Sequence, residues 1–267
     1  MRGAYGLAIS SDPPLPHLVA APPAWRGLEV RQERRRAEAA VHAVRAERAS
    51  IAIAPGMRAE VDRGTRTAVL VADEPWPPAA LTHPFLAAPA GLFAWWEGRE
   101  ALHGGAFAGA AGTWALLAPR GGGKSTTLAR LALEGVPVVA DDLAVVDAGV
   151  LAAGPRCLDL TPEAAHRLGV DGARDDARST KVRMTLPGVA PETPLAGVVH
   201  LAWGDRVELV PVPPAERLAR LVAHRFTWRD PADPVALLDL AALPAYELRR
   251  PPGLDSLERV VAALRGL

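Results

Sequence analysis

Lys124 and Ser125, preceded by Gly121, Gly122 and Gly123, are the residues whose types and spacing suggest chemistry most directly. Consecutive glycines let backbone N–H groups turn toward one point and approach an anion closely. A helix beginning near Lys124 would add its free N–H groups and its positive end to the same cup. The lysine ammonium could then reach the outer phosphates of a nucleotide, and the Ser125 hydroxyl could ligate Mg2+. Arg120 and Thr126 extend the candidate nucleotide-binding run to 120–126. Asp141 and Asp142 end the next apolar run. One carboxylate there can hold Mg2+, and a second can accept the proton of an attacking hydroxyl. Adjacent residues of an extended strand point to opposite sides, so the two are expected to divide these jobs.

The elements needed to position these residues are present in order. An apolar run at 114–118 reads as a buried strand, a glycine-rich turn follows at 119–123, and 128–134 is helical. A second apolar strand at 136–140 ends in the two aspartates. Strand, loop, helix, strand, carboxylate is the context a phosphate-binding loop requires. The motif reads A-x-x-x-x-G-K-S, with Ala118 at the strand end where the usual pattern has glycine. Of 30 Lys+Arg, lysine occurs only at 124 and 181. An otherwise arginine-using chain thus carries a compact point charge at the position where such a loop uses one.

Three further residues bear on chemistry. His103 lies on the strand preceding the loop strand. Lys181 and Arg183 alternate with Val182 and so share one face of a strand. Facing the site they could neutralise a transferring phosphoryl group, and facing solvent they would be ordinary surface charges. Trp95, Trp96 and Trp203 could border a base pocket, although core packing is the simpler use of the tryptophans. The single cysteine, Cys157, reads as a packing residue. No Cys/His spacing suggests zinc, and no Gly-x-Ser-x-Gly elbow is present.

Composition bounds the class. With 267 residues and 49% hydrophobic content, the chain is globular, as one large domain or two small ones. A formal net charge of +0 gives no electrostatic footprint for nucleic acid. One cysteine excludes an intramolecular disulfide framework and suits a reducing cytosol. The opening residues lack a signal-peptide apolar core, and no run approaches the ~20 apolar residues of a membrane helix. The expectation is a cytoplasmic protein without a nucleic-acid or membrane partner, with a homo-oligomer left open.

Along the chain, strands are expected at 5–10, 28–34, 51–54, 58–62 and 67–71, making residues 1–75 a small, mainly β lobe. The arginine-rich run from 34 reads as a solvated helix or an exposed hairpin. Glu74-Pro75-Trp76-Pro77-Pro78 is the boundary, and 76–267 the core. A helix is expected at 84–96, with His83 leading into it. Strands at 102–108 and 113–118 form a hairpin that delivers the chain into the loop. Beyond the aspartates, strands are expected at 156–160, 195–202, 207–212 and 245–248. Helices are expected at 162–168, 214–224, 234–242 and 257–264. The polar stretch 172–180 reads as a mobile loop.

The run LHGGAFAGAAGTWALLAPRGGGKSTTLARLALEGVPVVADDLAVVD resembles the catalytic core of the HPr serine kinase/phosphorylase family, with its Leu-His-Gly, strand pair, G-x-S-G-x-G-K-S loop, helix and Val-Ala-Asp-Asp. That family shares a P-loop topology with phosphoenolpyruvate carboxykinase. Tyr5-Gly6-Leu7, Ser10, Pro14-Leu15-Pro16 and Tyr246-Glu247-Leu248 are similar to HPr-kinase-related enzymes that accompany lasso-peptide-type maturation genes and phosphorylate a peptide serine. The resemblance implies an α/β fold with a PEP-carboxykinase/HPr-kinase-like P-loop core and the small β lobe. It implies ATP and Mg2+ as cofactors and a Ser/Thr hydroxyl of a peptide or small protein as acceptor. By that resemblance Asp141 is the base, Asp142 and Ser125 hold Mg2+, His103 sits near the transferring phosphate, and Lys124 with the loop amides binds the nucleotide. The chain departs from the pattern at Ala118 and Arg120, where the family has Gly and Ser. Two other readings are a kinase of a small molecule such as free serine and a non-catalytic nucleotide-bound accessory or chaperone in peptide maturation.

Overall fold

The computed structural model describes residues 1–36, 43–172, 178–226, 230–231 and 233–267. Much of the arginine-rich run, at 37–42, and the centre of the polar 172–180 stretch, at 173–177, lie outside the described residues.

Eight strands between residues 2 and 72 form one sheet. Its strands are β1 (Arg2–Ala4), β2 (Leu7–Ser11), β3 (Val19–Ala20), β4 (Arg26–Arg34), β5 (Ala43–Val44), β6 (Arg48–Ala54), β7 (Met57–Asp62) and β8 (Thr67–Ala72). They are ordered β3-β1-β2-β4-β8-β7-β6-β5. The expected single strand at 5–10 is instead a hairpin. Tyr5 and Gly6 both have left-handed φ, 57° and 78°, and turn the chain tightly so that Ala4 pairs Leu7. Alternation along β7 buries Met57, Ala59 and Val61 on one face.

Helical structure begins before the expected 84–96 helix, with α1 (Pro78–Ala80) and a π-helical turn (Leu81–Phe85) preceding α2 (Ala87–Trp96). His83 interrupts the run before Pro84, with φ −150° and ψ 125°. A residue preceding proline is sterically pushed out of the helical region, and Pro84 follows it. α2 is buried nearly all round. Phe93 and Trp96 meet in an edge contact, and Leu86, Phe93 and Trp96 share a core with Leu7, Leu28 and Leu70 of the first sheet and with Leu143 and Val145 beyond it.

The remaining strands are β9 (Glu100–Gly109), β10 (Gly112–Leu117), β11 (Val138–Ala140), β12 (Leu143–Asp147), β13 (Val150–Ala152), β14 (Cys157–Leu160), β15 (Val182–Thr185), β16 (Glu192–Trp203), β17 (Glu208–Pro211) and β18 (Ala245–Arg250). Two long strands tie them together. β9 pairs β12 through its first half, and β10 and β11 through its second. β16 pairs β13 through its first half, and β10 and β18 through its second. With β12 paired to β13, the pairings close into a ring. β10, β16 and β18 run parallel, so their carboxyl ends share one edge, the edge at which open α/β sheets place ligands.

Helix α3 (Lys124–Leu133) starts directly behind β10 and buries Leu128, Ala129 and Leu131. It lies close on β9 because Gly105 is there. A Cβ at Gly105 would come within 2.4 Å of Leu128 Cδ1 and 2.8 Å of the Ala140 carbonyl. α4 (Pro162–Leu168) is capped by the Thr161 hydroxyl, which accepts from the Ala164 N–H. α5 (Pro214–Val222) packs on α6 (Pro234–Ala242), and α7 (Leu257–Arg265) covers α3. Cys157 is buried, as expected.

Candidate active site

The loop after β10 has the backbone shape its glycines predict. Gly121 and Gly123 both have φ of 79°, and the Gly122 N–H donates to the Pro119 carbonyl at 2.9 Å. Gly122 tolerates no side chain, since a Cβ would sit 2.8 Å from the Ala118 Cβ. The Ala118 substitution of the motif is therefore absorbed by the glycine beside it. Lys124 is buried and folds back over the loop, with Nζ donating to the Ala118 carbonyl at 2.7 Å. Burial holds its pKa below the ordinary lysine value, opposed by the charges of Asp141 and Asp142.

Asp141 and Asp142 follow β11 and lie across the cleft from this loop. The expected split to opposite sides does not occur. Asp142 adopts a left-handed φ of 64°, and this turn brings both carboxylates to the lining of one cleft of about 560 Å3. Asp141 is fully buried, and its Oδ1 accepts from the Ser125 hydroxyl at 3.3 Å. Its Oδ2 has no hydrogen-bond partner. Burial, reinforced by the charge of Asp142, raises the Asp141 pKa to about 6.

The same cleft is lined by His103, Arg120, Gly121, Gly123, Lys124, Ser125, Thr126 and Lys181. His103 is half-buried on β9, with its pKa held down first by burial and then by the Lys124 charge. A neighbouring hollow of about 660 Å3 opens on the outer side of the loop, between Arg120, His103, His224 and Phe226. Arg183 is placed otherwise than expected. Its guanidinium makes a bidentate pair with Asp159 and donates to the carbonyls of Ala79 and His83. Four hydrogen bonds to protein groups commit it to holding the π-helical turn, so it is withdrawn as a phosphoryl-neutralising side chain, whereas Lys181 is exposed at the rim.

Three residues of the site are not apparent from the motif. His83 of the π-helical turn is buried, with Nε2 3.5 Å from Asp142 Oδ2. The His-Pro step at 83–84 was its one local signal. Arg250, at the end of β18, donates to the Gly122 carbonyl at 3.0 Å and stacks on Trp203. Tyr5 is buried, and its hydroxyl donates to the Asp141 carbonyl at 3.1 Å across 136 residues of sequence. Both depend on strand order rather than local pattern.

Among the described residues no three His, Cys, Asp or Glu side chains converge as a metal site. A loop-bound Mg2+ needs no such cluster, because phosphates and waters supply most of its oxygens. Ser125 Oγ and the carboxylates of Asp141 and Asp142 in the same cleft lining are hard-oxygen donors that fit this cation. The pair expected to hold it, Ser125 with Asp142, is not the one hydrogen-bonded here. The Ser125 hydroxyl meets Asp141, and Asp142 turns to His83.

No family model matches the chain, and no curated protein matches it. Among solved structures it is similar to the HPr(Ser) kinase/phosphatase from Coxiella burnetii, at 12% identity and a TM-score of 0.35, over 62% of this chain and 88% of that one. A TM-score of 0.35 is too low to show a shared fold. No helix among the described residues is long and apolar enough to cross a membrane.

Proposed function

We propose that the protein is an ATP- and Mg2+-dependent phosphotransferase acting on a Ser or Thr hydroxyl of a peptide or small protein. The observation that carries this is the glycine loop with Lys124 and Ser125 facing the buried Asp141 across a single cleft. Lys124 and the amides of 120–126 would hold the β- and γ-phosphates, and the hollow beside Arg120 leaves room for the rest of the nucleotide. Mg2+ would sit at Ser125, where it would neutralise charge on the phosphates. Asp141 would take the acceptor proton, as the buried carboxylate beside Ser125 in the lining of the cleft. Asp142, in the same cleft, would complete the surroundings of the cation, and His103 would lie by the transferring group. Catalysis is then mostly positioning and charge neutralisation. The division at residue 75, a cytosolic setting and a peptide acceptor belong to this proposal.

The test is transfer from γ-labelled ATP to serine-bearing peptides compared with free serine. Labelled peptide that disappears with EDTA, with Lys124→Ala and with Asp141→Asn supports the reading. Labelled free serine alone moves the acceptor to a small molecule. Nucleotide binding without any transfer makes the protein a non-catalytic module. Should Asp142→Asn abolish transfer while Asp141→Asn only raises the Mg2+ requirement, the two carboxylates exchange roles.

A further inference from the structure

His83 stands where neither the loop motif nor the aspartate pair accounts for it. The residue is 1% exposed, yet it belongs to the lining of the cleft. Nδ1 has no hydrogen-bond partner, and Nε2 is 3.5 Å from Asp142 Oδ2. An imidazole Nε2–H is the donor this carboxylate can face. Asp142 needs such a hold. Its left-handed backbone is fixed through its carbonyl, which accepts from the Gly104 N–H at 3.2 Å, and that contact does not aim the carboxylate.

His83 is itself held from outside the cleft. Its extended dihedrals interrupt the helix, so its carbonyl leaves the helical hydrogen-bond ladder and accepts from Arg183 Nη2 instead. Arg183 Nη1 donates to the Ala79 carbonyl at 2.6 Å, and the guanidinium is squared by Asp159 at 2.9 and 3.0 Å. A buried ion pair alone is weak grounds for a role, since apolar replacements often serve stability as well. Here one further donor, Nη2, ends on the carbonyl of the residue that touches Asp142.

We propose that His83 is a positioning residue that aims the Asp142 carboxylate into the cleft, and that the Arg183–Asp159 pair holds His83 in place. The link rests on the kinase reading for its effect on turnover, but not for its geometry. Gln and Asn separate the positioning function from packing. A glutamine amide nitrogen reaches near the place of Nε2, whereas an asparagine amide stops near Nδ1. His83→Asn should lower phosphoryl transfer about 10- to 100-fold, the range found when a group orienting a metal-site ligand is removed, and raise the Mg2+ needed for half-maximal rate. Nucleotide KM should change little. His83→Gln should recover most of the rate, and Arg183→Met should resemble His83→Asn. In an Asp142→Asn background, His83→Asn should cost nothing more. Independently of turnover, the 15N resonance of His83 Nε2 in the nucleotide-free protein should move on Asp142→Asn. Equal losses in the Gln and Asn variants, additive losses with Asp142→Asn, or an unmoved Nε2 resonance would each overturn the proposal. A wild-type protein that transfers nothing defeats the kinase reading, while the resonance shift still decides the His83–Asp142 link.

Discussion

At the scale of single residues, Asp141 carries the clearest consequence of burial. Its carboxyl is raised from the ordinary 3.8 to about 6, chiefly by desolvation. A pKa raised on folding means the native state holds the proton more tightly. The stability tied to that proton is complete below pH 4 and lost as pH rises to about 6. Two units correspond to at most about 3 kcal/mol. Asn mimics the protonated acid, so the nucleotide-free Asp141→Asn variant should match the wild type near pH 4 and exceed it at pH 8. Urea unfolding across that range measures it, and a constant difference would show that burial does not act on this group. Lys124, Ser125 and Asp141 could be read from sequence because their motif is local, with few residues between strand, loop and carboxylate. His83, Arg250 and Tyr5 could not, because they arrive from other strands or turns. For Arg183 alternation reveals a face shared with Lys181 but not what that face meets, so neither the site nor solvent could be chosen from sequence.

At the scale of elements, the position of the loop depends on how closely α3 lies on β9. Gly105 permits that approach, with Leu128 Cδ1 and the Ala140 carbonyl occupying the space where a Cβ would go. Gly105→Ala should therefore cost about 1–3 kcal/mol, the usual range for overpacking, and weaken nucleotide binding as the loop shifts with its helix. A variant as stable as wild type would place α3 farther from β9 than described. Most strands and the later helices follow the alternation and capping visible in the sequence, as with Thr161 before α4. The helical residues before Pro84 were not expected, and His83, sterically pushed out of the helical region by Pro84, separates them from α2. The Tyr5-Gly6 hairpin was hidden as well, since tyrosine gives little warning of a left-handed turn.

At the scale of the molecule, the first sheet is not peripheral to the site. Its inner face shares a core with α2 and with β12, the strand that leaves Asp142, and Tyr5 bonds to the Asp141 carbonyl. The intact chain should unfold in one transition, with tryptophan fluorescence and far-UV circular dichroism coinciding. Residues 76–267 alone should melt well below it, because Leu86, Phe93, Leu143 and Val145 lose their cover. An isolated 76–267 segment with the melting temperature of the whole would contradict that. The ring closed by β9, β12, β13, β16 and β10 could not be read from sequence, since the β10–β16 pairing joins segments some 80 residues apart and depends on tertiary register.

The claim on which all of this depends is that the loop at 120–126 grips a polyphosphate opposite Asp141. Calorimetric titration of a non-hydrolysable ATP analogue with Mg2+ into wild type and Lys124→Ala tests it without knowledge of the acceptor. The account predicts saturable one-to-one binding that weakens about 100-fold or more in the variant, in line with about 3 kcal/mol for losing a charge-assisted contact to phosphate. No binding to the wild type, or equal binding to both proteins, would contradict it.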